Sequence, residues 1–464
     1  MKNNIQKHDA IIIGAGPAGL FAAYRMLENR PNANVLLIER GPDIQLRKCY
    51  QNCSICPNYA DCSMLCGVGG SGLFSDGKLV LDLHAGGLLD SISNITEQRK
   101  KDISKYIERT LRSFDGVSQN GPKPSQEIQE EWLNLFNQNG LEIKHYDVLH
   151  MGSKNLRNII TNFLIKLKEK PGFEILTSTE VTNVYKKNNL SFVEVLDGRT
   201  FISTNILFSV GKTGSEWLKD IFIKNQISFK KNTTYIGVRV ETSHHNISKL
   251  FEYSFDPKIW MYFNNHKVKT HCFCRHGDII CTNYMGFPVV GGQTQITENN
   301  NESMNEISKK SNFNVLVSTS LDENRIIDLL DDVKKVNPNG PVVQSITSFI
   351  NNCNDLNPIV GLSDNVKVGN LREIFDQYDD IGSCIVEFIS RLEKIIPSLT
   401  LQDGLIYAPA IEWFMDTVNV KPNMETSCSG WFAVGDGAGL SQGIVHAAAT
   451  SIIAADDISL RITK

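Results

Sequence analysis

Short apolar runs alternate with segments of helical periodicity along this chain. Residues 8–13 predict a buried strand that ends at Gly14, and residues 17–29 predict a helix because their apolar side chains recur at helical spacing. A second apolar run, residues 35–38, predicts another strand and ends at Glu39. This order indicates a β-strand–helix–β-strand unit near the start of the chain.

The remaining pattern predicts a mixed succession of elements. Residues 90–139 are mostly helical and charged, and further helices are predicted at residues 156–169 and 442–458. Short strands are predicted at residues 173–176, 181–184, 192–195, 205–210, 235–240, 269–274 and 431–434. No apolar run approaches the length of a transmembrane helix, and the polar residues 1–9 lack the apolar centre of a signal peptide.

The composition is that of an ordinary globular protein. The 464 residues have room for about three average domains, and 41% of them are hydrophobic and 21% charged. Since 47 Lys and Arg face 51 Asp and Glu, the net charge is −4, which favours neither nucleic acid nor an anionic membrane as a partner. We expect a cytoplasmic protein with a small-molecule substrate.

The run of residues 14–19 has the glycine spacing of a dinucleotide-binding turn. It follows a strand and opens a helix, which is the context that this motif requires. Gly14 permits the tight turn, Gly16 lets the backbone approach a pyrophosphate, and Gly19 permits close helix–strand packing. Glu39 ends the second strand, where an acidic side chain can accept hydrogen bonds from a ribose.

A segment near the far end of the chain favours FAD over NAD as the dinucleotide. Residues 430–436 form an apolar strand that closes on Gly435 and Asp436, and this resembles the second signature of FAD-binding proteins. Residues 207–211 match a further element of such proteins. Residues 67–72 have the glycine spacing but follow a cysteine-rich loop rather than a strand. No dedicated NAD(P)H domain is therefore predicted, and NAD(P)H would bind only transiently as an electron donor.

Several motifs together resemble those of a known family. The chain is similar to the group described as uncharacterised FAD-dependent dehydrogenases, within the glutathione-reductase-type flavoprotein superfamily. The matching segments are residues 67–78, the cysteines before them, and residues 150–153, 237–241, 312–313 and 435–448. The family's Gly-Arg-Ser-Gly is residues 211–214 here, with Lys212 for Arg, and Gln442 stands where the family has Arg. These departures indicate a divergent member.

The resemblance implies an α/β fold of glutathione-reductase type. It implies an FAD-binding Rossmann domain, discontinuous in sequence, with an inserted mixed α+β substrate domain. The predicted parts are FAD-binding residues 1–90 with the cysteine loop 49–66, a helical insertion 91–139, FAD-binding residues 140–215, a substrate or cap domain 216–400, and FAD-binding residues 401–464.

The candidate cofactor-binding residues follow from these motifs and from the resemblance. They are Gly14, Gly16, Ala18, Gly19, Glu39, Arg40, Gly70, Ser71, Gly72, Asp76, Lys78, Val181, Gly211, Gly435, Asp436, Gln442, Gly443 and Ile444.

Five of the 11 cysteines are clustered within the loop 49–66. The candidate metal ligands are Cys49, Cys53, Cys56, Cys62 and Cys66. Thiolates suit both Zn²⁺ and a [4Fe–4S] cluster, and the spacing does not separate them. Redox-active thiols and an unliganded loop are the other two interpretations. The alternating pair Cys272 and Cys274 is interpreted as structural.

Because a flavin supplies the hydride chemistry, the protein must supply a proton donor or acceptor. His150 is the first candidate, since it lies in a matched motif within a glycine-containing loop before a predicted helix. Glu412 lies in an apolar stretch and either faces the flavin or pairs structurally. His446, one turn into the last predicted helix, is expected in the core.

The predicted function is that of an FAD-dependent oxidoreductase, a dehydrogenase or reductase that acts on a small organic substrate by hydride transfer. The alternatives are a flavin-dependent monooxygenase and a flavoprotein that acts on a macromolecule such as RNA. The electron donor would be a ferredoxin, if the cysteines hold an iron–sulfur cluster, or NAD(P)H.

Overall fold

The secondary structure comes from a computed structural model, which describes residues 6–48, 62–75, 77–85, 87–90, 92, 95–114, 119–284, 286–294, 308–353, 362, 365–399, 404–412 and 416–462. The helices are α1 (Pro17–Asn29), α2 (Glu97–Arg112), α3 (Gln126–Gln138), α4 (Ser153–Lys168), α5 (Ser215–Lys224), α6 (His244–Tyr253), α7 (Glu323–Val336), α8 (Ile346–Ile350), α9 (Leu371–Phe375), α10 (Ile381–Ile395) and α11 (Ile444–Arg461).

The strands are mostly short. They are β1 (Gln6–Lys7), β2 (Ala10–Ile13), β3 (Val35–Ile38), β4 (Lys78–Val80), β5 (Gln119–Asn120), β6 (Glu142–Lys144), β7 (Val148–His150), β8 (Phe173–Leu176), β9 (Val181–Lys187), β10 (Leu190–Val195), β11 (Thr200–Ser203), β12 (Ile206–Phe208), β13 (Phe229–Lys230), β14 (Thr234–Ser243), β15 (Lys258–Phe263), β16 (His266–Cys274), β17 (Gly277–Tyr284), β18 (Phe287–Thr294), β19 (Lys310–Thr319), β20 (Val342–Ser345), β21 (Lys367–Val368), β22 (Leu405–Glu412), β23 (Thr417–Val418) and β24 (Trp431–Ala433).

Five strands from distant parts of the chain form one parallel sheet. Their order is β24–β12–β2–β3–β8, and every neighbouring pair is parallel. Each residue of β2 and β3 is buried, as expected for a parallel sheet covered on both faces. Because α1 connects β2 to β3, the predicted β-strand–helix–β-strand unit is present. This architecture confirms the predicted α/β fold with a Rossmann-like sheet.

Two layers pack against the parallel sheet. Helices α1 and α11 lie side by side, and Arg25 Nε donates to Asp456 Oδ1 at 2.7 Å between them. The second layer is the sheet β1–β11–β10–β9, which shares its apolar core with the parallel sheet. Trp431 Nε1 donates to Ser191 Oγ at 2.7 Å, and this buried hydrogen bond joins β24 to β10.

An eight-stranded sheet makes up the other half of the fold. Its order is β21–β20–β22–β14–β19–β16–β15–β6, and only β20 and β21 are parallel neighbours. Helices α6, α7, α9 and α10 contribute to its core. Two of its strands, β6 and β22, lie outside residues 216–400, the range predicted for the substrate or cap domain. The apolar sequence of β22 would suit a buried position in either sheet, so the pattern of its side chains does not identify its neighbours.

The hairpin β17–β18 and the small sheet β4–β7–β5 lie where the two halves meet. Val290 of the hairpin packs on Leu316 of the eight-stranded sheet. On the other side, Gln293 Nε2 donates to the carbonyl oxygen of Phe74 at 3.4 Å. The hairpin therefore connects the eight-stranded sheet to the glycine-rich turn at residues 67–74. Within the part of the chain described, none of the helices has both the length and the apolarity needed to cross a bilayer.

The hydrogen bond between Trp431 and Ser191 gives a test of how the two layers are joined. We expect Trp431→Phe to lower the free energy of unfolding by about 1–3 kcal/mol, because the Ser191 hydroxyl stays buried and loses this donor. Ser191→Ala combined with Trp431→Phe should recover part of that loss, since no polar atom is then left behind. Urea unfolding followed by circular dichroism measures both. A double variant no more stable than Trp431→Phe would contradict this account.

Candidate functional site

A groove follows the edge of the parallel sheet where β2, β12 and β24 end. Each strand is followed closely by a glycine in the left-handed region, with φ of +104° at Gly14, +65° at Gly211 and +76° at Gly435. Residues of all three turns line the same groove. Ligands of open α/β sheets bind outside the carboxyl ends of the strands, so this is the expected place for a site.

The first turn is held by close backbone packing. A methyl group on Gly19 would overlap the carbonyl oxygen of Gly14, and one on Gly14 would overlap the carbonyl oxygen of Ser209. Ser209 Oγ donates to the carbonyl oxygen of Gly14 at 2.8 Å, which ties β12 to this turn. A methyl group on Gly16 would meet only the Cα of Gly70, at 3.8 Å. The backbone at Gly16 is therefore open toward the groove.

Two helices begin at the groove. Helix α1 follows Gly16 and helix α11 follows Gly443, and neither glycine has a side chain that could cap the first amide groups. Both helix starts line the groove. The free N–H groups and the positive end of each helix dipole favour a negatively charged ligand.

Glu39 fixes the backbone around one end of the groove. Its Oε2 accepts from the backbone N–H of Ala15 at 2.8 Å, while its Oε1 accepts from those of Gly41 at 2.8 Å and Gly67 at 3.2 Å. The side chain is buried and also lines the groove. Glu39 therefore positions two loops as well as occupying the place predicted for a ribose contact.

Arg47, which the sequence analysis missed, holds the loop that carries Gly67 and Gly70 to the groove. Its guanidinium is fully buried, and its partners among the described residues are backbone carbonyl oxygens, namely those of Ser63, Met64, Gly67, Val68 and Gly70, at 2.7–3.3 Å. Burial lowers the pKa of Arg47 to about 10 although the carboxylate of Glu39 opposes this shift, so the side chain stays charged at neutral pH. No motif surrounds Arg47, and only the folded loop gives it this role.

Asp436 lies at the opposite end of the groove. Its Oδ1 accepts from Ser441 Oγ at 2.6 Å, and its Oδ2 accepts a longer hydrogen bond of 3.5 Å from the backbone N–H of Gly443. Asp436 is half-buried and lines the groove. Burial raises the pKa of Asp436, and the charge of Lys212 only partly opposes this. A ligand hydroxyl at Oδ2 would stabilise the charged form.

Most of the predicted cofactor-binding residues lie along this groove. The predicted residues among its lining are Gly14, Gly16, Ala18, Glu39, Arg40, Gly70, Ser71, Gly72, Val181, Gly211, Gly435, Asp436, Gly443 and Ile444. Gly19, Lys78 and Gln442 lie outside the lining, and Asp76 lies outside the described residues.

Of the predicted metal ligands, the structure describes Cys62 and Cys66. They belong to one turn, in which the backbone N–H of Cys66 donates to the carbonyl oxygen of Cys62 at 2.9 Å. Cys66 lines the groove next to Arg40, whose Nη2 lies 3.6 Å from its sulfur. Cys49, Cys53 and Cys56 lie outside the described residues. The metal site therefore stays a prediction.

His150, the predicted catalytic residue, lies behind the groove rather than in its lining. It is buried at the end of β7, where it pairs in register with Lys78 of β4. Its Nδ1 accepts from the backbone N–H of Gly152 at 3.2 Å, which leaves the proton of the neutral ring on Nε2. Its role stays a prediction.

The groove lining also includes Lys212, Trp217 and Tyr284, which were not predicted as site residues, and the charge of Lys212 acts on Asp436. Burial raises the pKa of Tyr284, so its phenol is protonated at neutral pH. Lys212 was noticed only as a departure from a family motif. Tyr284 belongs to the hairpin β17–β18. No sequence signal near it indicated that it would line the same groove as the glycine turns.

Glu412 pairs with Lys269. The carboxylate and the ammonium are 2.8 Å apart, and Glu412 is buried. Burial alone would raise the pKa of Glu412, but Lys269 and His271 outweigh it and lower the pKa to about 2. Glu412 is thus ionised at neutral pH and has its partner within the protein. His446 is buried, as expected, and burial lowers its pKa to about 4.

A comparison with known families matches a segment near the start of the chain, which includes the first glycine turn. Residues 12–47 match the family model described as NAD(P)-binding Rossmann-like domain. These residues form a Rossmann-like unit. No curated protein matches the chain.

Solved structures resemble the chain only distantly. They include glycine oxidase from Geobacillus kaustophilus, with 9% identity, 99% of this chain and 96% of that chain covered, and a TM-score of 0.40. L-proline dehydrogenase from P. horikoshii has 12% identity, coverage of 99% and 95%, and a TM-score of 0.41. L-amino acid deaminase from Proteus vulgaris has 9% identity, coverage of 100% and 96%, and a TM-score of 0.39. The assignment of the fold rests on the strand order of the chain itself.

The role of Arg47 can be tested with a matched arginine. We expect Arg47→Met to lower the free energy of unfolding by about 3 kcal/mol or more, because it leaves several buried carbonyl oxygens without a donor. Arg199→Met is the control, since Arg199 is exposed, forms its salt bridge with the surface residue Asp197 and lies over the ring of Phe201, without donating to buried carbonyl oxygens among the described residues. That control should change the free energy by less than about 1 kcal/mol. Urea unfolding compares the two, and equal losses would contradict the role assigned to Arg47.

Proposed function

We propose that the protein is an FAD-dependent oxidoreductase that transfers a hydride between FAD and a small organic substrate. One observation carries this proposal. The N-termini of α1 and α11 line the same groove, and Asp436 lines it as well. A dinucleotide has anionic groups at its centre and hydroxyl-bearing groups on either side. In the groove, the N-termini of α1 and α11 suit the anionic groups, and the carboxylates of Glu39 and Asp436 suit the hydroxyl groups.

The residues of the groove fit FAD along its length. Glu39 lines the groove beside the first glycine turn, where the motif leads us to expect a ribose, and the open backbone at Gly16 suits a pyrophosphate. Asp436 lines the groove, and its Oδ2 accepts only one long hydrogen bond among the described residues, which suits the hydroxyl groups of a ribityl chain. A methyl group at Gly211 or Gly443 would meet no protein atom within 4 Å, so both leave room for a ligand.

The chemistry that FAD supplies when bound is hydride transfer. The protein has to exclude water, orient the substrate and move a proton. Trp217 and Tyr284 supply apolar and aromatic surface in the lining, and the phenol of Tyr284, which its raised pKa keeps protonated, can donate a hydrogen bond. Lys212 can orient an anionic group of the substrate. Since these residues are in the groove itself, we propose Tyr284 and Lys212 ahead of His150 as the residues that act on the reacting atoms.

Asp436→Ala tests the assignment of FAD. We expect the wild-type protein to retain FAD through purification and Asp436→Ala to bind it about tenfold more weakly or worse, because the hydroxyl groups lose their acceptor. Asp416→Ala is the matched control, since Asp416 pairs with Lys219 outside the groove. The measurements are released flavin per chain and a fluorescence titration with FAD. A wild-type protein that is stabilised by NAD(P) and not by FAD would overturn the proposal.

We also propose a metal site in the cysteine loop, residues 49–66. Thiolates bind Zn²⁺ or a [4Fe–4S] cluster, and the turn of Cys62 and Cys66 faces the Glu39 end of the groove. We expect protein purified without oxygen to contain stoichiometric zinc or iron, and Cys62→Ser with Cys66→Ser to lose it. Cys428→Ser is the control cysteine. Metal analysis together with an absorbance spectrum measures this, and wild-type protein free of both metals would contradict it.

A further inference from the structure

Strand β16 brings two cysteine sulfurs unusually close together. In a regular strand, residues two apart lie about 6.6 Å from each other. Here the pairing of β16 with β19 shifts register between His271 and Cys274, and Cys272 has a φ of +54°. The sulfurs of Cys272 and Cys274 are 4.0 Å apart. Bulges of this kind redirect side chains, and a left-handed cysteine is strained, so the fold maintains this approach at a cost in free energy.

Two cationic side chains lie beside the sulfurs. The ammonium of Lys78 lies 3.7 Å from the sulfur of Cys272 and 4.0 Å from that of Cys274, and it also donates to the carbonyl oxygen of Phe273. Nη2 of Arg239 lies 3.1 Å from the sulfur of Cys274. Nearby cations stabilise a thiolate, which is the reactive form of cysteine.

Arg239 is held rigidly in this position. Its Nε donates to Asn312 Oδ1 at 2.7 Å and its Nη1 donates to Asn314 Oδ1 at 2.8 Å, both on β19. A methyl group on Gly292 of the hairpin would overlap the guanidinium, so β18 packs directly on it. The charge beside Cys274 is therefore a fixed part of the fold.

The two thiols differ in exposure, and the buried one has a raised pKa. Cys272 is partly exposed, whereas Cys274 is buried. The hydrogen bond with Cys272 and burial raise the pKa of Cys274 well above its usual value. Two neighbouring thiols do not ionise independently, so a Cys274 that keeps its proton can donate to a thiolate on Cys272, which is the more exposed of the two.

We propose that Cys272 and Cys274 form a dithiol–disulfide exchange site whose substrate is a small disulfide. The Cys272 thiolate attacks one sulfur of the substrate, the bond between the two substrate sulfurs breaks, and the first substrate thiolate leaves and takes up a proton. Cys274 then gives up its proton and attacks the sulfur of Cys272, which forms the protein disulfide and releases the second thiol. Two protein thiols are oxidised and one disulfide is reduced to two thiols.

The geometry favours exchange over a structural role for this pair. A disulfide that closes a ring across a single intervening residue is strained, and strained disulfides are the ones that are readily reduced again. Cys384 provides a contrast, since it is buried in the core of the eight-stranded sheet and burial raises its pKa to about 12. The site also stands without the proposed flavin, because its substrate brings its own oxidising equivalents.

The sequence makes the test direct. Trypsin cleaves after Lys269 and Arg275, and the peptide 270–275 contains Cys272 and Cys274 as its only cysteines. The native full-length protein is incubated with oxidised glutathione, quenched with acid, alkylated and digested. We expect this peptide to lose two hydrogens and to escape alkylation, while the peptide that contains Cys384 is alkylated as before. A peptide 270–275 that remains fully alkylated in excess oxidised glutathione overturns the proposal.

Variants identify the order of attack. Cys274→Ser should stop at a mixed disulfide between glutathione and Cys272, whereas Cys272→Ser should not react. Lys78→Met should slow the reaction about tenfold, because the thiolate loses a neighbouring cation. Lys335→Met is the matched control, since Lys335 is exposed and pairs with Asp332 away from the sulfurs. A Lys78→Met protein that reacts as fast as this control would show that the cation does not activate the pair, and that result also overturns the proposal.

Discussion

The buried guanidinium of Arg47 holds the loop on which one side of the groove depends. Removing an arginine from water is unfavourable unless each donor finds an acceptor, and here the acceptors are carbonyl oxygens of residues 63–70. The carboxylate of Glu39 complements this by taking the backbone N–H of Gly67. Together the two opposite charges satisfy both kinds of backbone group in this loop: the guanidinium binds carbonyl oxygens, and the carboxylate binds an N–H group.

The consequences of this arrangement extend beyond the loop. Gly70 is brought against Gly16, so that a methyl group on Gly70 would lie 2.9 Å from the Cα of Gly16. The same loop carries Cys66 to the groove and leads into Phe74, which the hairpin β17–β18 contacts through Gln293. The loop that Arg47 and Glu39 hold therefore contributes to the groove, to the turn of Cys62 and Cys66, and to the contact with the hairpin.

The parts of the fold that local pattern determines could be predicted from the sequence. Helix α1 and strands β3 and β8 have the predicted limits, because their apolar spacing and their flanking residues are local properties. The position of β22 in the eight-stranded sheet could not be predicted, since it depends on backbone pairing with β14, which is far away in sequence. Long-range pairing leaves no periodic trace in either strand.

The same distinction applies to the groove and to the thiol pair. Glycine turns that follow strands have a local signature, and most of the residues predicted from them lie in the groove. Arg47 and Tyr284 have no such signature, because their roles come from loops that meet only in the folded chain. The alternation of Cys272 and Cys274 predicted a structural pair in a strand. The bulge and the two cations that change this interpretation are contributed by β19, β4 and β14.

The strand order of the parallel sheet has a consequence for how the protein acquires its shape during synthesis. Strand β24 lies beside β12, and α11 lies along α1, although more than 200 residues separate β12 from β24 in the sequence. While the ribosome is still making the eight-stranded sheet, one edge of β12 and one side of α1 are left uncovered. Parts of a chain that are made first generally fold first. The parallel sheet cannot do so, because it needs β24, which is made after the eight-stranded sheet. The nascent chain must keep an unfinished apolar surface from aggregating until its last strand and helix emerge.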